Sequence, residues 1–361
     1  MNSRNTRLRI GRRRFVAGGF AGLVGMGLAG CVGARDARLA PGEHRVVVED
    51  LHHPRAVTFA PDGTLFLAEA GSELLDGRIT TVDPAGWQSP VHEGLPRYPS
   101  PYGDAEDVGL AGIEFHDGAI YGVIGQGEFD LASFMFRVDA DGTFVPLANL
   151  KHFPALGFPP QAPTPAIDNE SGTVIYDPTN VYDLAYHPDE DAFYVADAGS
   201  NWILKVSPDG RTVEYVAQYT RVGDHTVPTG IAVGPDGAIY HGLLAGYPYS
   251  VGAGVISRID PDWEITDFVL DITMPTDVAW GPDGEFYALE FAQGLDDGFP
   301  PQMKPRSGRV LRKVGDGVEV VFEGLNYPYA MAFGGEGHLW ITVNSSFEEP
   351  GTGELREYRL P

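Results

Sequence analysis

The chain has 361 residues, among them 47 Gly, 29 Pro and a single Cys, and 43% of its side chains are hydrophobic. Its formal charge of −25 at pH 7 argues against nucleic acid and anionic lipid headgroups as partners. One Cys rules out an internal disulfide framework, so stability has to come from a packed core.

Residues 1–30 hold six Arg and no Asp or Glu, and Gly11-Arg12-Arg13-Arg14-Phe15-Val16 leads into an apolar, Gly-rich run. This is a signal peptide, excluded from the fold. Its arginine pair resembles a twin-arginine export signal, and Leu28-Ala29-Gly30-Cys31 resembles a lipoprotein cleavage box with Cys31 as the lipidated residue. The 16 residues from Phe15 to Gly30 fall short of the ~20 needed to span a bilayer. The domains expected are therefore a signal at 1–30, a lipidated Cys and tether at 31–42, and a folded body at 43–361, extracytoplasmic and tied to the membrane by lipid.

From residue 53 onward one unit returns: an apolar strand, an Asp-Gly turn, then an aromatic-rich strand. Pro54-Arg55-Ala56-Val57-Thr58-Phe59-Ala60-Pro61-Asp62-Gly63 opens the first copy, and Pro228-Thr229-Gly230-Ile231-Ala232-Val233-Gly234-Pro235-Asp236-Gly237 the fourth. Copies centred on Val278 and Met331 are nearly as regular, and degenerate ones centre on Ile113 and Leu184. Six short-stranded repeats of this kind predict an all-β, six-bladed β-propeller. The last copy lacks a fourth strand and 45–49 lacks a blade, so the N-terminal strand is expected to pair with the last blade and close the ring. The Asp-Gly pairs read as turns, not metal sites; Asp139-Ala140-Asp141-Gly142 has Leu150 where a calcium loop needs Glu.

Connections on the Asp-Gly side are short, whereas 126–133, 151–179, 245–254, 293–307 and 345–353 gather long loops on the other face, where binding is normally built. There the second strands of blades 1, 3 and 5 end in Glu69, Asp197 and Glu290, and first strands add Asp183 and Asp277 beside the channel. Two readings of these acids stand side by side: bonds to backbone amides and channel water, or a metal site of Glu69, Asp197, Asp277 and Glu290 holding Ca2+ or another divalent cation, with Asp183 as candidate base. Asn180, Tyr247, Tyr249 and His225 are candidate binding residues, and Asn326 and Asn344 are possible neutral contributors.

Tyr182-Asp183-Leu184-Ala185, Val195-Ala196-Asp197-Ala198-Gly199-Ser200-Asn201, Leu244-Ala245-Gly246-Tyr247-Pro248-Tyr249 and Thr276-Asp277-Val278-Ala279-Trp280, with the 227–237 segment, resemble the ScyD/ScyE family of six-bladed propellers, within the wider NHL-like group. The resemblance covers about residues 45–360 and implies an export-directed propeller without implying a reaction. Three functions follow as expectations: a module binding a small molecule or protein on the long-loop face; a metal-dependent hydrolase of lactones or esters, similar to gluconolactonase and strictosidine-synthase-like propellers; and a quinone-dependent sugar dehydrogenase. The last lacks a matching His and Arg pair in the later blades.

Overall fold

The computed structural model describes residues 39–99, 107–127, 131–151, 179–219 and 226–361. The signal segment, Cys31, most of the tether and His225 lie outside them. Six four-stranded antiparallel sheets form the six blades expected from the repeat. Their innermost strands are Pro54–Phe59, Leu110–His116, Val181–His187, Pro228–Val233, Pro275–Trp280 and Met331–Phe333.

Ring closure follows the expected route. In blade 6 the strand His44–Leu51 lies outermost, paired with Gly353–Arg359 in a register that sets His44 opposite Tyr358 and Leu51 opposite Gly353. That pairing gives the chain's last strand a neighbour on both sides and removes two sheet edges.

Local chemistry explains the turns. In blade 1, Gly63 takes φ +88° and the Asp62 carboxylate accepts the Thr64 amide at 2.9 Å. Blade 4 repeats this with Gly237 at φ +74° and Asp236 accepting from Ala238 at 3.2 Å. The 139–142 segment is also a turn: the Gly142 amide donates to the Asp139 carbonyl at 2.8 Å, and Asp139 pairs with Arg137 at 2.6 Å.

Packing lies between blades. Six clusters of buried apolar side chains sit one at each interface, as where Tyr287, Leu289 and Val310 of blade 5 meet Leu339, Ile341 and Val343 of blade 6. Each fully buried Leu, Ile, Val or Phe contributes about 1.5–3 kcal/mol. Alternation along the strands therefore serves both faces of every blade, and the ring is held by six similar layers. A seventh cluster, with Met274, Phe291, Ala292 and Tyr327 buried, underlies the long loops of blades 4 and 5.

The innermost strands of blades 1 to 5 are irregular at one point each. Register breaks fall between Pro54 and Val57, Leu110 and Gly112, Val181 and Asp183, Pro228 and Ile231, and Pro275 and Asp277. A bulge re-aims the side chains beside it, and here it does so at the channel.

Candidate functional site

Because the six inner strands are equivalent, their residues form rings around the channel. One position before the apolar centres stand Ala56, Gly112, Asp183, Gly230, Asp277 and Ala330; one position after stand Thr58, Glu114, Ala185, Ala232, Ala279 and Ala332. Three carboxyl groups thus share a cavity of about 340 Å³ whose remaining lining is mostly Ala, Val, Ile and aromatic side chains.

The two glycines make room for the two aspartates. A Cβ on Gly112 would stand 2.6 Å from the Asp183 carboxylate, and one on Gly230 would stand 2.3 Å from the Asp277 Cα. Each aspartate then ties its blade to the next one. Asp183 Oδ2 accepts the Ile231 amide at 3.1 Å, and Asp277 accepts the amides of Met331 at 2.6 Å and Val278 at 2.7 Å.

Glu114 differs from both: its carboxyl makes no hydrogen bond within the described residues. Burial, and then the neighbouring Asp183 charge, push it up to about 8. Burial pushes Asp183 up to about 7 against the opposing effect of the Ile231 and Leu184 amides. Asp277 is raised as well, by burial first and by Asp183 second. With no Lys, Arg or His in the lining, the cavity holds protons at neutral pH.

The two ends of the channel are unlike. At the long-loop end, Tyr182 of blade 3 and Tyr329 of blade 6 reach across the axis and stack with ring centroids 4.8 Å apart. The Arg55 guanidinium lies 4.6 Å from the Tyr329 ring centroid and donates to Ser346 Oγ at 2.7 Å. Thr229, Thr276, Ala111 and Arg55 complete that ring, all buried. At the other end, Phe59, Phe115, Tyr186, Val233, Trp280 and Phe333 are all partly exposed. The channel is therefore a pit closed toward the long loops and open on the Asp-Gly turn face.

The carboxylates expected to share a metal are not brought together. Glu69 is 1% exposed, accepts Arg78 Nε at 2.7 Å and the His52 amide at 2.8 Å, and lies inside blade 1. Glu290 repeats this in blade 5 with Arg309 Nε at 2.5 Å and the Thr273 amide at 2.6 Å. Asp197 accepts the amides of Asn180, Gly199 and Ser200 at 2.8–3.1 Å, and burial still pushes it up to about 6. Among the described residues no group of three or more His, Cys, Asp or Glu is placed to hold a metal ion. Asp183, the candidate base, stands with Asp277 in the channel instead.

The remaining candidates divide. Asn180 accepts the Gln126 amide at 2.9 Å and joins two loops. Asn326 donates to Asn344 at 2.9 Å and to Glu348 at 2.7 Å, binding the loops of blades 5 and 6. Tyr247 is 74% exposed on the long-loop face, its ring 6.1 Å from that of Tyr249. Sequence reasoning missed Glu114 and the Tyr182–Tyr329 closure. The repeat alignment held a signal for the first, because every other blade places Ala or Thr at that position.

Fold and channel together define a six-bladed β-propeller with a plugged, acidic central pit. Among solved structures it is similar to a structural-genomics protein of unknown function from Bacteroides thetaiotaomicron, at 14% identity over 88% of this chain and 75% of that one, with a TM-score of 0.57. It is also similar to a Thermus thermophilus protein provisionally assigned as an oxidoreductase (glucose dehydrogenase), at 17% identity over 88% and 99%, TM-score 0.55. Virginiamycin B lyase from Staphylococcus aureus matches at 14% identity over 88% and 100%, TM-score 0.50. At these identities the likeness shows the fold. No protein-family model and no curated protein matches the chain.

Proposed function

We propose that this chain is an exported, lipid-anchored propeller of the ScyD/ScyE kind that works as an extracytoplasmic binding module, its long-loop face taking a protein partner. The observation that carries this reading is the exposed rim on blades 4 and 5. Phe299 is fully exposed, Tyr247 74% and Val251 65%, above the buried cluster of Met274, Phe291 and Tyr327. Protruding aromatic side chains over a rigid, buried base are the usual make-up of a protein-binding hot spot.

Export and anchoring rest on the sequence alone, on Arg12-Arg13 and Cys31. In the native host, Cys31→Ala should move the protein from the membrane to the soluble fraction, and Arg12→Lys with Arg13→Lys should hold it in the cytoplasm. For the binding role, a photocrosslinking residue at position 299 should give a discrete adduct that Tyr247→Ala removes. No adduct from any position along the rim would sink the binding reading and leave localisation untouched.

The hydrolase reading needs a metal on Glu69, Asp197, Asp277 and Glu290, two of which are bonded to arginine. Elemental analysis of the purified chain tests it directly: stoichiometric calcium or zinc, lost in a Glu69→Gln and Asp197→Asn double variant, would restore it.

A further inference from the structure

We propose that the pit on the turn face is a binding site for a small organic ammonium ion. It lies on the opposite side of the ring from the Tyr247–Phe299 rim, so the inference stands or falls apart from the function proposed above.

The argument starts from shape. A cavity of about 340 Å³, closed at one end, lies at the lower limit of pockets that hold small ligands. Its closed end is the stacked Tyr182–Tyr329 pair, and Ala185, Ala232, Ala279 and Ala332 keep its wall smooth. The alanines matter because a large apolar residue in place of any of these four would take up the space.

Charge gives the ligand its sign. The lining contains Glu114, Asp183 and Asp277 and no Lys, Arg or His, so a cation is the only charged guest it favours. Arg55 stands behind the tyrosine pair, outside the lining, with its guanidinium on Tyr329 and Ser346. Glu114 is the acceptor left open: Asp183 and Asp277 are already bonded to backbone amides of the next blade.

Chemistry then separates an organic cation from a metal ion. A hard divalent ion takes six or more oxygen ligands, and the described residues hold no group of three or more acids or His placed for one. An alkylammonium needs one or two carboxylate oxygens, apolar walls for its chain and aromatic faces for its charge. Tyr182, Tyr186 and Trp280 line the pit and supply aromatic surface, while Tyr329 is already covered by Tyr182 and the Arg55 guanidinium.

Protons compete for the same place. Besides the three acids and the three tyrosines of the lining, the charged and titratable groups around it include Arg55 on the Tyr329 ring, His116, stacked on Tyr186 at 3.6 Å, Asp191, which accepts the Tyr186 hydroxyl at 2.8 Å, and Asp117 near Tyr186. Raised carboxyl groups gain their charge around and above neutrality, so the ammonium ion binds more tightly as pH rises and releases protons when it does.

The test is isothermal titration of the full chain with n-butylammonium chloride, with n-butanol and calcium chloride as controls, at about pH 6 and about pH 8. The expected result is saturable binding of butylammonium, stronger at the higher pH, with none of butanol. Glu114→Gln should weaken it about tenfold or more, the loss of one well-placed charge. Ala232→Leu, which fills the pit and keeps every carboxyl, should abolish it. Absence of saturable binding, unchanged binding in either variant, or a preference for calcium would each overturn the proposal.

Discussion

At pH 7 the carboxyl group of Glu114, and in part that of Asp183, holds a proton that the unfolded chain has already released. A group whose folded pKa is raised adds stability that is complete below its unfolded value and is lost as pH rises through the folded one. For Glu114 that window runs from its ordinary 4.5 up to about 8. Unfolding free energy should fall across it by about 1.4 kcal/mol per pH unit for each such proton. Urea titrations at three pH values in this range should show the decline, and Glu114→Gln should flatten it. Asp76, Glu190 and Asp236 are held low, so their contributions disappear only as pH falls through the carboxylate range. The blade-internal pairs act through burial instead. Glu290→Ala strands a partly buried Arg309 and the Thr273 amide, and chemical denaturation should register a loss of about 3–5 kcal/mol.

Individual strands carry constraints that no single contact reveals. The inner strand of blade 4 passes so close to Asp277 that Gly230 has no room for a side chain. Gly230→Ala should cost about 1–3 kcal/mol through displacement of backbone, and more than an alanine at Thr64 of the first turn. Thermal melts of the two variants side by side measure the difference. The strand His44–Leu51 is a different kind of element, since it completes a blade whose other strands come from the far end of the chain. Removing residues 39–51 should expose the Gly353–Arg359 edge and the buried Leu355, and size-exclusion chromatography should then find larger aggregates than for the intact chain.

Across the whole molecule, topology sets an orientation. His44 begins its strand beside Tyr358, at the turn-face end of blade 6, so the described chain enters the blade from that face. Twelve residues from Cys31 to Gly42 span at most about 40 Å. The proposed lipidation of Cys31 predicts that the turn face lies nearer the membrane than the Tyr247–Phe299 rim. Cys31 is the only Cys, and the lipidation proposed for it would block it, so an introduced Cys reports position. A membrane-impermeant maleimide should label Phe299→Cys faster than Asp62→Cys on intact spheroplasts. Equal rates would contradict the orientation.

The sequence by itself determined the blade number, the turn chemistry and the closure of the ring, because each depends on a local pattern repeated six times. It placed Glu69, Asp197 and Glu290 at equivalent strand ends, as found. It could not say what those ends touch, since Arg78 and Arg309 reach them only through the register of the following hairpin. Asp183 and Asp277 were legible as channel residues; Glu114 was not, although the same alignment exposes it. Tertiary structure alone decided that Tyr182 and Tyr329 close one end of the channel, because their rings come from opposite blades and meet only when all six close into a ring. It also set the register breaks beside Asp183 and Asp277, small shifts of backbone that a residue string does not record.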